Sequence, residues 1–120
     1  MGYNLLENQG ASVTGAWVKT EPPGRKTWPF RVVVINGAVP FAGDNVYIEE
    51  MTNGLPANPM QLYGPAADTG QVTIVGTVAP AGAANSGAGD LRIDSPCEFL
   101  RARSGAFTSG TCSVDLIPAE

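Results

Sequence analysis

Residues 30–37 read Phe-Arg-Val-Val-Val-Ile-Asn-Gly, and this stretch is the strongest indication of β structure in the chain. Valine and isoleucine branch at Cβ, which favours extended backbone and a central, buried place in a sheet. The Asn36-Gly37 pair that follows is typical of a turn. The stretch therefore predicts a buried strand that ends in a turn.

Alternation of apolar and polar residues predicts further strands on both sides of this stretch. Residues 44–51 place Val46 and Ile48 on one face and Tyr47 and Glu49 on the other. No window supports a helix, because Gly or Pro interrupts almost every candidate. The other predicted strands cover residues 13–18, 72–78, 98–103 and 111–117, with a short edge piece at 91–93.

The glycine and proline content supports the same fold prediction. The chain of 120 residues holds 15 glycines and 10 prolines, which punctuate short strands. The pattern predicts an all-β protein with a single antiparallel β-sandwich of about six or seven short strands. We assign residues 11–120 to the sandwich domain and residues 1–10 to an extended N-terminal arm.

Two long connections interrupt the predicted strands. Residues 52–70 contain apolar side chains that would gain from burial, so we expect this loop to lie against its own sheet or a neighbouring molecule. Residues 79–90 are almost entirely Ala, Gly, Pro, Ser and Asn, which predicts a flexible tip. The apolar residues of the first loop are Leu55, Met60, Leu62 and Tyr63.

Several kinds of chemistry are excluded by composition. There is no histidine, so the chain has neither a Ser-His-Asp triad nor a His-containing metal site. The net charge of −4, with scattered basic residues, argues against nucleic-acid binding. No apolar run is long enough to span a membrane or to serve as a secretory signal. We therefore predict a protein that is not an enzyme and has no cofactor, metal, nucleic-acid or membrane partner.

The two cysteines leave two interpretations open. Cys97 and Cys112 are 15 positions apart, and no further Cys or His completes a zinc site. They are either two buried thiols that pack as small apolar groups or a mutual disulfide.

Aromatic and basic residues also allow two roles each. The aromatic side chains fill the core or form a stacking platform for carbohydrate. Arg101 and Arg103 alternate on one predicted strand, where they either guard the sheet or pair with carboxylates of a neighbouring subunit. The aromatic residues concerned are Trp17, Trp28, Tyr47 and Tyr63.

Four segments together resemble a known class of protein. Residues 30–37 lead into Gly-Asp-Asn-Val-Tyr-Ile-Glu-Glu at 43–50. The chain closes with Cys-Glu-Phe-Leu-Arg-Ala-Arg-Ser-Gly at 97–105 and Gly-Thr-Cys-Ser-Val-Asp-Leu at 110–116. This order of segments resembles the small β-sandwich virion proteins of tailed bacteriophages. The 52–70 loop and the two cysteines depart from the pattern of those proteins.

The resemblance implies a structural role in the virion, foremost as a capsid decoration (cement) protein. The alternatives are a structural subunit of a tail, collar or fibre, and a glycan-binding adhesin domain. The implied partners are the major capsid protein, other virion subunits and further copies of the chain. We expect contacts from the arm, through Tyr3, Leu5 and Leu6, from the 52–70 loop, and from Arg101 and Arg103.

Overall fold

The computed structural model describes residues 3–19, 30–52, 71–93 and 99–118. All regular elements in these ranges are strands, which confirms the all-β antiparallel sandwich. The eight strands are β1 (Tyr3–Gln9), β2 (Val18–Lys19), β3 (Phe30–Asn36), β4 (Val46–Thr52), β5 (Gln71–Val78), β6 (Gly87–Ile93), β7 (Phe99–Ser104) and β8 (Cys112–Pro118).

The strands form two four-stranded sheets. Sheet A has the order β1-β8-β3-β6, and sheet B has the order β2-β7-β4-β5. Every pairing between these strands is antiparallel. This order is that of a jelly roll, in which two Greek keys are wrapped into a sandwich. None of the described residues belongs to a helix long and apolar enough to cross a membrane.

The main core lies between the two sheets. β3 is a central strand of sheet A, as the sequence predicts, with Phe30, Val32 and Val34 fully buried, but its other face is not buried and Ile35 has 37% of its surface exposed. Val46 and Ile48 of β4 face them from sheet B. Both sheets therefore contribute one apolar face to a shared interior, and the opposite faces remain for polar groups.

The N-terminal residues differ from the predicted arm. Residues 3–9 form β1, an edge strand of sheet A that pairs with β8. Leu5 and Leu6 are both buried in the core, each with 4% of its surface exposed. The register of β1 shifts between Asn4 and Leu6, and this irregularity allows two neighbouring side chains to reach the core.

The segment predicted as a flexible tip is also built into the fold. Its second part, from Gly87, belongs to β6, and its first part is fixed to the end of β3. The buried Asn36 side chain donates from Nδ2 to the carbonyls of Ala81 (2.7 Å) and Ala83 (3.2 Å). The Asn85 amide donates to the Gly37 carbonyl. One side chain in β3 thus holds a segment that has almost no apolar surface of its own.

We predict that Asn36→Ala destabilises the protein by about 1–3 kcal/mol, because a buried amide that bridges two carbonyls is lost. The change should also accelerate hydrogen exchange at the Ala83 and Asn85 amides, as measured by NMR. Unchanged exchange at these two amides would show that the turn is held by its backbone alone.

Candidate functional site

The polar side chains of sheet B gather on its outer face. Tyr47 and Glu49 of β4 point away from the core, as the alternation in the sequence predicts. They lie directly opposite Arg103 and Arg101 of β7 in the cross-strand register. We call these four residues, together with Asp44 at the start of β4, the outer-face cluster.

Glu49 is the centre of the cluster. Its carboxylate accepts a hydrogen bond from Nε of Arg101 (2.7 Å) and another from Nε of Arg103 (3.2 Å). Only 8% of the Glu49 side chain is exposed, against 13% for Arg101 and 34% for Arg103. A carboxylate with so little contact to water requires such partners, because burying an unpaired charge is strongly unfavourable.

Each arginine also covers an aromatic ring. The Arg101 guanidinium carbon lies 4.3 Å from the ring centroid of Trp17, and that of Arg103 lies 4.4 Å from the ring centroid of Tyr47. Attraction between cation and ring adds to the ion pairs and fixes both planes. Trp17 is buried and packs in a second apolar cluster with Met51 and Phe99.

Asp44 anchors the other end of the cluster. Its Oδ1 accepts hydrogen bonds from the Tyr47 hydroxyl and the Asn45 amide (both 2.7 Å), and its Oδ2 accepts one from the Ala106 amide (3.0 Å). The bond from Tyr47, with the two amides, lowers the pKa of the Asp44 carboxyl. The same bond raises the pKa of the Tyr47 phenol. A glycine is required at position 105, because a Cβ there would overlap the Asp44 carboxylate.

A cleft of about 580 Å³ opens beside Tyr47 and Arg103. The segment before β2 contributes to its lining and lies beside β7, where the Ser12 amide donates to the Gly105 carbonyl, just after β7, and the Gly15 amide donates to the Ala102 carbonyl. The cleft thus combines two charged groups of opposite sign, hydroxyls and apolar surface. It is lined by Ser12, Thr14, Asp44, Tyr47, Ile74, Arg103, Ser104, Gly105 and Ala106.

Both carboxylates of the cluster are engaged by groups of the chain itself. Each oxygen of Glu49 and of Asp44 accepts at least one hydrogen bond. Across the described residues, no group of three Cys, Asp or Glu side chains is placed to hold a metal ion.

Arg101 and Arg103 were predicted as outward charges that guard the sheet or pair with a neighbouring subunit. The structure places both on the outer face, where each pairs with Glu49 of the same chain. The cross-strand neighbour of Arg101 is Glu49 itself, which the sequence could not reveal, because it does not say which strands are adjacent. Trp17 is buried, as the core interpretation expects, but it packs with Met51 and Phe99 beneath Arg101 and not in the main core between the sheets.

The other predicted contact residues have different outcomes. Leu5 and Leu6 pack in the core, so their side chains face the interior of this chain and not a partner. Tyr3 lies in β1, paired with Leu116 of β8. The remaining predicted residues lie outside the described ranges, namely Leu55, Met60, Leu62 and Tyr63, together with Trp28 and Cys97.

Two residues of the cluster, Asp44 and Glu49, had no functional assignment from the sequence. Tyr47 was assigned either to the core or to a stacking platform for carbohydrate. The available signal was the alternation in 46–50, which places Tyr47 and Glu49 on the same outward face.

Cys112 is a free thiol, buried in β8 with no exposed surface. Burial raises its pKa to about 11, from an ordinary value of 9.0. Between these two values the unfolded chain releases its proton while the folded chain retains it, so alkali favours unfolding. This is the behaviour of an inert thiol in the core rather than of a reactive one.

We expect stability to fall by roughly 2–3 kcal/mol as the pH rises through this interval, on top of the contributions of other groups. Chemical denaturation of the wild type and of Cys112→Ala, at pH values on both sides of the interval, isolates the effect. The variant should lose less stability than the wild type over the same range. Parallel curves for the two proteins would contradict the assignment to Cys112.

Comparison of the chain with protein-family models, with curated proteins and with solved structures finds no match.

Proposed function

We propose that this protein is a non-enzymatic structural component of a tailed-bacteriophage virion, foremost a capsid decoration protein. The observation that carries the proposal is the position of the four resembling segments in the fold. They contain β3, β4, β7 and β8, which are the central strands of the two sheets. The resemblance therefore concerns the framework of the domain, and jelly rolls of this kind recur in viral capsid proteins.

The outer surface of sheet A supports a role in contact. Ile35 and Ile117 lie on its two central strands, β3 and β8, and 37% and 39% of their surfaces are exposed. Val39, just beyond β3, is 56% exposed. Branched apolar side chains at these positions gain free energy when a partner removes them from water.

The chemistry of the polar groups supports the same role. Glu49, the most buried carboxylate in the part of the chain that the structure describes, holds two strands together. Arg31 and Asp90 form a further ion pair between β3 and β6, which is half-exposed to solvent. Charged groups in these pairs are used within the chain to join neighbouring strands, which is compatible with a structural role.

A decoration subunit acts by mass action. It binds the assembled shell more tightly than its separated parts, and it therefore shifts the equilibrium towards the shell. The partners we propose are the major capsid protein or other virion subunits, with further copies of this chain. In this proposal the protein resides in the virion, after assembly in the host cytoplasm.

The test uses particles from a phage in which the gene for this chain has been deleted. Purified protein added back to these particles should bind to a saturating number of copies and raise the temperature at which the shell releases DNA. Binding confined to the tail, collar or fibres, seen by electron microscopy, would favour the alternative that the protein is a structural subunit of one of these parts. Absence of any binding to particles would refute the virion role.

A further inference from the structure

We infer that the cleft beside Tyr47 and Arg103 binds a neutral saccharide. The inference rests on the free hydrogen-bonding groups of the cleft, on their fixed positions and on the balance of charge around them. It does not depend on the proposed role in the capsid. A volume of about 580 Å³ is in the range of sites for small ligands.

The cleft presents groups that have no partner within the described part of the chain. Arg103 uses Nε for Glu49, and no described hydrogen bond occupies either of its terminal nitrogens. Ser12 and Thr14 are exposed residues of the same lining, and neither side chain takes part in a described hydrogen bond. These donors and acceptors line one cleft together, as a ligand with several hydroxyl groups requires.

The same groups are held in place before any ligand arrives. Arg103 is fixed by Glu49 on one side and by the Tyr47 ring beneath it. The Tyr47 ring is fixed in turn by the bond from its hydroxyl to Asp44. The lining residue Thr14 forms a β-bridge with Arg103 itself. A site whose side chains are already ordered loses little conformational entropy on binding.

Charge distinguishes a neutral ligand from an anion. The cluster contains two carboxylates, Asp44 and Glu49, and two guanidinium groups, Arg101 and Arg103, so its formal charge is zero. A carboxylate or phosphate ligand at the Arg103 terminal nitrogens would meet the Asp44 charge on the same wall. Uncharged hydroxyl groups can use both the guanidinium and the carboxylate without this repulsion.

The apolar part of the wall suits the carbon-bound hydrogens of a sugar ring. Ile74 of β5 lines the cleft, and 49% of its surface is exposed although it lies on a strand. It stands directly opposite Glu49 in the register of β4 and β5. A saccharide presents hydroxyl edges and apolar faces together, which matches a lining that contains both Arg103 and Ile74.

The test measures binding of the intact protein to a panel of neutral saccharides, including lactose, maltose and chitobiose, by NMR chemical-shift perturbation. We expect at least one neutral sugar to shift the amides of Thr14, Tyr47 and Ala106 selectively. Ala106→Trp should fill the cleft and weaken that binding by at least about tenfold. The variant keeps the backbone amide that Asp44 needs, so its fold is expected to be retained.

Ala84→Trp is the matched control, because Ala84 is equally exposed but lies in the turn before β6, outside the cleft lining. It should bind sugar as the wild type does. Three results would overturn the inference: no selective shift with any sugar of the panel, equal binding by Ala106→Trp, or binding of sialyllactose at least about tenfold tighter than lactose. The last result would assign the cleft to an acidic ligand instead.

Discussion

Removal of residues 1–9 should unfold the domain or leave it barely stable. Leu5 and Leu6 are both buried in the core, and complete burial of one leucine contributes about 1.5–3 kcal/mol. The truncation therefore removes at least about 3–6 kcal/mol, which is a large part of the 5–15 kcal/mol that stabilises a typical domain. It also leaves one edge of β8 without its partner strand. Urea denaturation followed by far-UV circular dichroism measures the loss.

Two point variants separate the contribution of the buried leucines from that of the exposed side chains of β1. Leu6→Ala should destabilise the full-length protein by about 2–5 kcal/mol, because it creates a cavity in the core. Glu7→Ala removes an exposed side chain of the same strand that has no described bond to β8, and it should change stability by less than about 1 kcal/mol. A truncated chain with the denaturation midpoint of the full-length protein would show that β1 is a dispensable arm.

Glu49→Gln should destabilise the protein by about 2–4 kcal/mol. The change keeps the size of the side chain but leaves two arginines without their carboxylate, and Arg101 has little access to water. We do not expect the largest losses of stability known for broken buried ion pairs, because Arg103 is about one-third exposed and solvent screens its charge. Denaturation in urea gives the difference directly.

Glu50→Gln is the matched control, because it makes the same chemical change at the next residue, for which no ion pair is described. It should alter stability by no more than about 0.5 kcal/mol. A double-mutant cycle with Arg103→Gln should give a coupling energy of about 1 kcal/mol between positions 49 and 103. Additive effects in this cycle, or equal effects of the two glutamate variants, would contradict the central role of Glu49.

The β-sandwich architecture could be predicted from the sequence because apolar and polar residues alternate along most of its strands. Residues 46–50 place Val46 and Ile48 inward as the alternation predicts, and the β-branched run 30–36 forms a central strand, as predicted from its composition. The strand β1 was not accessible in this way. Leu5 and Leu6 are neighbours, and regular alternation would send one of them to solvent. A shift in register brings both inward, and such irregularities leave no clear sign in a single sequence.

The sequence predicts only part of the outer-face cluster. Alternation assigns Glu49 and the arginines to outward faces of their own strands, but it does not say which strands lie side by side. Glu49 and Arg101 are 52 positions apart in the chain and meet only because β4 pairs with β7. The same reason applies to the segment 79–86, whose order depends on the distant side chain of Asn36.

The fold and the cluster together suggest how one small domain combines two kinds of surface. The apolar residues Ile35 and Ile117 lie on the outer face of sheet A, whereas Tyr47 and Arg103 lie on the outer face of sheet B. In our proposal one face of the sandwich is available for a virion subunit while the opposite face remains open to ligand. Opposed faces allow both contacts to exist at once.

The proposed virion role requires that a tailed phage encodes this chain, and its most direct test is the protein composition of purified particles of that phage. Quantitative mass spectrometry should find the protein in many copies per particle, in a fixed ratio to the major capsid protein. Its presence in infected-cell lysate but absence from purified particles would contradict the account.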